Sequence, residues 1–198
     1  MKTLAITGGI ACGKSLVGGL LRDRGLPVCE TDELGHALLA PGTPVYDSVV
    51  AEFGEAIVSS EGGIDRGRLG RMVFADDARR VRLNQLVHPH VYRLWNDWMA
   101  DRRAEGSPWG AVIIPLMYEV GWSEAWSAVL CVAAPGSAQL ERMRKRGWSD
   151  EDAARRVRTQ WPLETKMERA DYVIYNGGTV ELVKEQLDRI LVRLLGEY

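Results

Sequence analysis

The chain has 198 residues, 46% of them apolar and 26% charged, with 25 basic against 27 acidic side chains and a formal net charge of -2. That length suits one globular domain with a sizeable core and one main site, and the near-neutral balance excludes wholesale recruitment of nucleic acid. No apolar run approaches the roughly 18 residues needed to cross a bilayer, and the apolar start is too short for a secretory leader, so a cytoplasmic protein is expected.

Taken in chain order, Lys2 to Thr7 is an apolar, β-branched run that enters Gly8-Gly9 and reads as a buried strand with a tight turn. A helix is predicted from Gly13 or Lys14 to about Arg24, on the spacing of Leu16, Val17, Leu20 and Leu21, with Gly25 as its stop. Leu26 to Glu30 reads as a second strand, and Gly110 to Pro115, Ala128 to Ala133 and Asp171 to Tyr175 read as three more. Val87, Val91, Leu94 and Trp98 predict one helix face, and Val183, Leu187, Ile190, Leu191 and Leu194 another. Strands separated by helices imply an α/β fold with a parallel sheet, because a parallel return needs a crossover.

Two intervals exceed a plain crossover: about eighty residues between the second and third strands, and the charged stretch Gln139 to Arg169. Both read as insertions that carry substrate contacts. Arg142, Arg144, Lys145, Arg146, Arg155, Arg156, Arg158, Lys166 and Arg169 stud the second. Most read as a solvated helical face, and one or two as guanidinium groups of a closing lid over a transferring phosphoryl group.

The sharpest signal is Gly8-Gly9-Ile10-Ala11-Cys12-Gly13-Lys14-Ser15, a complete G-x-x-x-x-G-K-[ST] between a predicted strand and a predicted helix. Glycines let the backbone curl so that successive N–H groups face phosphate oxygens, and the helix N-terminus adds partial positive charge. Lys14 is assigned to the β- and γ-phosphates, and the Ser15 hydroxyl to a bridging magnesium ion. Asp32 follows the second strand, where ligands bind in open α/β sheets. It can orient an acceptor hydroxyl and take its proton, or it or Glu30 can cap the next helix; the residues alone leave both open.

Cys12, Cys29 and Cys131 are too few and too widely spaced for a disulfide framework and read as reduced thiols. Cys12, close to a helix N-terminus, is a candidate for thiol-reagent sensitivity. His88 and His90 lack companions for a zinc set. Trp95 and Trp98 read as core, and Trp122, Trp126, Trp148 and Trp161 as candidate surfaces near a coenzyme or lid. Asp32-Glu33-Leu34-Gly35 also matches the D-x-x-G of nucleotide-driven switches, but it comes only 17 residues after Ser15, and no Asn-Lys-x-Asp follows.

With those residues in hand, the chain resembles the dephospho-coenzyme A kinases nearly end to end. The resemblance is carried by Leu4 to Ser15, Asp32, Pro41-Gly42-Thr43-Pro44, Phe53-Gly54, Ile64-Asp65-Arg66, Leu83-Asn84 and Val87-His88-Pro89. It continues through Ile114 to Glu119, then Gln139, Arg142, Arg146, Gln160, Ala170-Asp171 and Asn176 to Gly178. Glu30, His36 and Tyr118 depart from the usual pattern, away from the central chemistry.

The resemblance implies a P-loop kinase fold: a parallel five-stranded sheet core (1–31, 107–138 and 170–198), a helical coenzyme-binding insertion (32–106) and a helical lid (139–169). It implies transfer of a phosphoryl group from ATP, with Mg2+, to the ribose 3'-hydroxyl of dephospho-coenzyme A; no nucleic-acid or membrane partner is expected, and a monomer is expected with a small homo-oligomer left open. The catalytic positions it implies are Asp32, Lys14 and Arg142, the last facing the transferred phosphate. ATP would lie against Gly8 to Leu16, Arg146, Asn176 and Gly178, and the acceptor against Asp32, His88, Pro89 and Leu116. ATP in preference to GTP rests on the resemblance alone.

Overall fold

A computed structural model describes residues 1–196, in two compact units: Met1–Cys29 with the chain from Arg102 onward, and Glu30–Asp101. Glu197 and Tyr198, the end of the expected core segment, lie outside the described residues.

The first unit is built on a parallel five-stranded sheet. Its strands are β1 (Lys2–Gly8), β2 (Val28–Glu30), β3 (Trp109–Ile113), β4 (Ala128–Ala133) and β5 (Tyr172–Tyr175), in the order β2-β3-β1-β4-β5. β1 is central because it is apolar without alternation: Leu4, Ala5 and Ile6 are almost fully buried, as a strand covered on both faces requires. Leu4 pairs with Ala111 and Ala128 on its two flanks, and Gly8 pairs with Val132. The expected strand to Pro115 stops at Ile113. Proline has no N–H to give a ladder, and Ile114 makes the last bond, to the Ile6 carbonyl (2.8 Å).

Helix α1 (Lys14–Arg22) packs Val17, Leu20 and Leu21 onto the sheet. It ends two residues before the expected Arg24, where Gly25 at φ +78° lets the Leu26 N–H reach back to the Leu21 carbonyl (3.0 Å).

The second unit holds α2 (Thr31–Leu38), α3 (Pro44–Phe53), α4 (Arg66–Ala75) and most of α5 (Asp77–Ala104). Thr43 and Asp65 cap α3 and α4 by accepting the Tyr46 and Arg68 N–H groups (3.0 Å each). Val45, Val49, Ile57, Leu69 and Val73 form its core. In α5 the buried face is Val91, Trp95 and Met99, with Leu94 and Trp98 half-buried at its edge, so the expected stripe is turned by about one position.

Between β4 and β5 the charged stretch forms three helices: α6 (Gly136–Lys145), α7 (Asp150–Arg158) and α8 (Leu163–Glu168). After β5, α9 (Val180–Leu195) buries Val183, Leu187, Ile190 and Leu191, the expected face. None of the described helices is long and apolar enough to cross a membrane.

Candidate active site

The loop from Gly8 to Ser15 takes its shape from a few special backbone positions. Gly8 has φ +138° and Gly13 +103°, and Ala11, though it carries a side chain, is left-handed at +57°. The Cys12 N–H turns back to the Gly9 carbonyl (3.3 Å). Gly13 is the N-cap of α1, and no side chain caps that helix end, the arrangement in which a helix N-terminus receives an anion. Lys14 Nζ lies over the loop, donating to the Gly8 (3.1 Å) and Gly9 (2.8 Å) carbonyls. Ser15 is exposed and Leu16 half-buried against the core.

Behind the loop stands a brace that the sequence does not reveal. Asn176, buried after β5, donates from Nδ2 to the Cys12 carbonyl (2.8 Å) and from its backbone to the Ala133 carbonyl (2.7 Å). Arg142 donates to the carbonyls of Ala11 (3.1 Å), Cys12 (3.4 Å) and Asn176 (3.0 Å). One guanidinium thus ties the phosphate loop to the segment after β5. A Cβ on Gly13 would fall 2.2 Å from Asn176 Nδ2, so the brace also demands a glycine there. Arg146 is the exposed C-cap of α6, and Gly178 is exposed just before α9. A Cβ on Gly178 would lie 2.9 Å from Cδ1 of the exposed Leu182, which would have to turn aside.

A second network lies beyond β3. The Pro115 carbonyl accepts from Thr7 Oγ1 (3.5 Å) and Lys166 Nζ (3.0 Å), and Leu116 follows it in the chain, half-buried. Lys166 is fully buried and paired with Glu119 at 2.7 Å. This corrects its place among the solvated basic residues of the stretch: the ammonium is desolvated and needs the carboxylate. Glu119 Oε1 also accepts the Trp161 N–H (2.8 Å). Trp161 stacks on Tyr118 (5.7 Å between centroids) and under Arg169, and Arg156 covers Trp148 at 4.1 Å. These two tryptophans therefore hold local guanidinium groups.

Asp32, His88 and Pro89 belong to the second unit. Glu30 is the N-cap of α2 and its side chain makes no capping bond, while Asp32 is exposed in the first turn, where its charge suits the helix dipole. Asp32 to Gly35 lies wholly inside α2, so the D-x-x-G match is a piece of helix. Within α5, burial pushes the His88 imidazole down, leaving it neutral near pH 7, and Pro89 is exposed.

Cys12 contradicts the expected thiol reactivity. It is fully buried, and burial raises its pKa against the opposing influence of Lys14, nearby N–H groups and Arg142. Burial likewise pushes Cys131 up to about 11. The expected result is that iodoacetamide leaves all three cysteines unmodified in the native protein and alkylates all three in urea. Native labelling of Cys12, read by peptide mass spectrometry, would refute this.

A model of the dephospho-CoA kinase family matches residues 2–181. A dephospho-CoA kinase of Geobacillus kaustophilus is 41% identical over 193 residues, covering 96% of this chain and 94% of its own. Among solved structures, TT1252 from Thermus thermophilus is similar with a TM-score of 0.81 at 36% identity, over 98% of both chains. Dephospho-CoA kinase from Campylobacter jejuni is similar with a TM-score of 0.68 at 25% identity, also over 98% of both.

Proposed function

This chain belongs to the dephospho-CoA kinase family and is a kinase, and we propose that it transfers the terminal phosphoryl group of ATP to the ribose 3'-hydroxyl of dephospho-coenzyme A. The products are coenzyme A and ADP, and the reaction is the last step of coenzyme A synthesis. The observation that carries the reading is the match over residues 2–181, which takes in both the phosphate loop and the charged stretch.

In this reading the N–H groups around Gly13 and the positive end of α1 hold the phosphates, and Lys14 leaves the Gly8 and Gly9 carbonyls to follow the γ-phosphate. Asp32 orients the acceptor hydroxyl and takes its proton as the new O–P bond forms and the bond to the ADP oxygen breaks. Arg142, which also keeps the loop in shape through its three carbonyl contacts, faces the transferred phosphate and supplies positive charge to it, and Arg146 contacts ATP. Asn176 and Gly178 border the base of ATP, and His88, Pro89 and Leu116 contact the acceptor.

The donors present fit a magnesium ion. Ser15 offers one exposed hydroxyl oxygen beside Lys14, and no cluster of three His, Cys, Asp or Glu is found among the described residues. Such an ion is commonly held by one or two protein oxygens, substrate phosphates and water, and when bound it neutralises charge on the phosphate oxygens. The same reading makes the enzyme cytoplasmic and monomeric.

A coupled ADP-release assay with ATP and magnesium tests it, comparing dephospho-coenzyme A with adenosine, AMP and no acceptor. Release is expected only with dephospho-coenzyme A, and Asp32→Asn is expected to lower kcat at least about a hundredfold. Equal release with every acceptor would defeat the assignment.

A further inference from the structure

Besides Arg142 and Asn176, the phosphate loop has a further partner that lies far from it in sequence. Gln160, in the turn between α7 and α8, accepts the Ile10 N–H through Oε1 at 3.0 Å. Because the backbone N–H can only donate, this bond fixes which end of the amide is oxygen. The other end, Nε2, carries two N–H donors, and no partner for it is found among the described residues.

Gln160 is held in place from its C-terminal side. The next residue, Trp161, gives its N–H to Glu119 Oε1 (2.8 Å), and Glu119 is pinned by the fully buried Lys166 (2.7 Å), which also grips the Pro115 carbonyl (3.0 Å). On the N-terminal side the Gln160 N–H closes the end of α7 on the Val157 carbonyl (3.1 Å). A side chain with so many fixed neighbours presents its amide at a set place on the loop, which is how an organised site avoids reorganisation during the reaction.

We infer that Gln160 is a phosphate-contacting residue of this kinase: Oε1 holds the strand end of the loop at Ile10 while Nε2 donates to the terminal phosphate of the bound triphosphate. The assignment rests on the triphosphate reading of the loop, but not on the identity of the acceptor. Ile10 is the third residue of the loop, four before Lys14, the residue that reaches the β- and γ-phosphates. Successive N–H groups of such a loop converge on phosphate oxygens, so an amide bonded to one of them sits among the remaining donors. The assignment also explains why a glutamine serves here: one end of the group must accept from the protein and the other must donate to an anion.

The test separates a phosphate contact from a loop brace. Binding of ADP and of a non-hydrolysable ATP analogue with an imido bridge, both with magnesium, is measured by calorimetry for the wild type, Gln160→Glu and Gln160→Ala, with urea unfolding to establish that each is folded. Gln160→Glu keeps the acceptor for the Ile10 N–H and replaces the donor by a charge that repels phosphate. Its affinity for the triphosphate analogue is expected to fall about tenfold or more, with ADP affinity within about threefold. Gln160→Ala is expected to show the same selectivity with a smaller loss.

Equal losses for both nucleotides, or triphosphate affinity within threefold of wild type in both variants, would overturn the inference and leave Gln160 a brace or a bystander. A wild type that binds the analogue but shows no dephospho-coenzyme A-dependent turnover would sink the acceptor assignment and leave this one standing. A wild type that binds neither nucleotide would sink the reading of the loop itself.

Discussion

Gly8→Ala is expected to abolish the native fold of the first unit, with a cost above about 4 kcal/mol. A Cβ built on Gly8 lies 2.0 Å from the Val132 carbonyl oxygen and 2.9 Å from its carbonyl carbon and nitrogen. Those are backbone atoms of β4, paired in register with Gly8, so no rotamer change relieves the overlap. The strands would have to part at the point where β1 delivers the phosphate loop, and φ +138° adds a conformational penalty for any side chain. Urea unfolding and ADP binding check this. A cooperative transition near the wild-type midpoint, with ADP binding retained, would show that β4 can yield there. Gly25→Ala is the control: it also has positive φ, but a Cβ there meets nothing within 4 Å. It is expected to cost only about 1 kcal/mol.

The second large effect is at Lys166. Its side chain is 0% exposed and that of its partner Glu119 only 13%. Lys166→Ala would leave a carboxylate in a low-dielectric surround with the Trp161 N–H as its remaining described donor, and Glu119 Oε2 is already buried without a partner among the described residues. Breaking such a pair from one side is expected to cost about 3–5 kcal/mol. It should appear as a lower urea midpoint at unchanged m-value. The double variant Lys166→Met with Glu119→Gln removes both charges at similar volume and is expected to recover more than half of the loss. A single variant within about 1 kcal/mol of wild type would mean that water reaches the pair, which would then behave as an exposed one.

Four of the strands were legible as mainly apolar runs bounded by punctuation, while the expected Leu26 to Glu30 shortens to Val28–Glu30 after Pro27, which has no N–H for a ladder. Ala128–Ala133 has the predicted ends, and β3 and β5 differ by one or two residues where Pro115 and the Asp171 side chain, which accepts the Val129 N–H, take over from the ladder. The loop was legible because its eight residues are contiguous and every role in it depends on neighbours in sequence. The helix faces were read to within one position; in α5 the competition among Val87, Val91, Leu94, Trp95, Trp98 and Met99 is settled by what packs against them.

What stayed hidden is what spans the chain. Arg142 reaches Ala11 across 131 positions, and Gln160 reaches Ile10 across 150. Lys166 looks like any other cation in a charged stretch until α8 places it under the Pro115 carbonyl and beside Glu119. Cys12 follows the same logic in reverse. A helix N-terminus argues for a reactive thiol, but the core around it excludes water and burial outweighs the local field.

By itself, then, the sequence determined the α/β class, the strand–loop–helix that binds phosphate and, through its ordered motifs, the kinase family. Only the tertiary structure decided which charged and polar side chains are buried, paired or turned onto the loop. Local motifs act through backbone conformation that a few adjacent residues dictate, whereas the worth of a charge or an amide depends on solvent exclusion and on partners brought together only by folding.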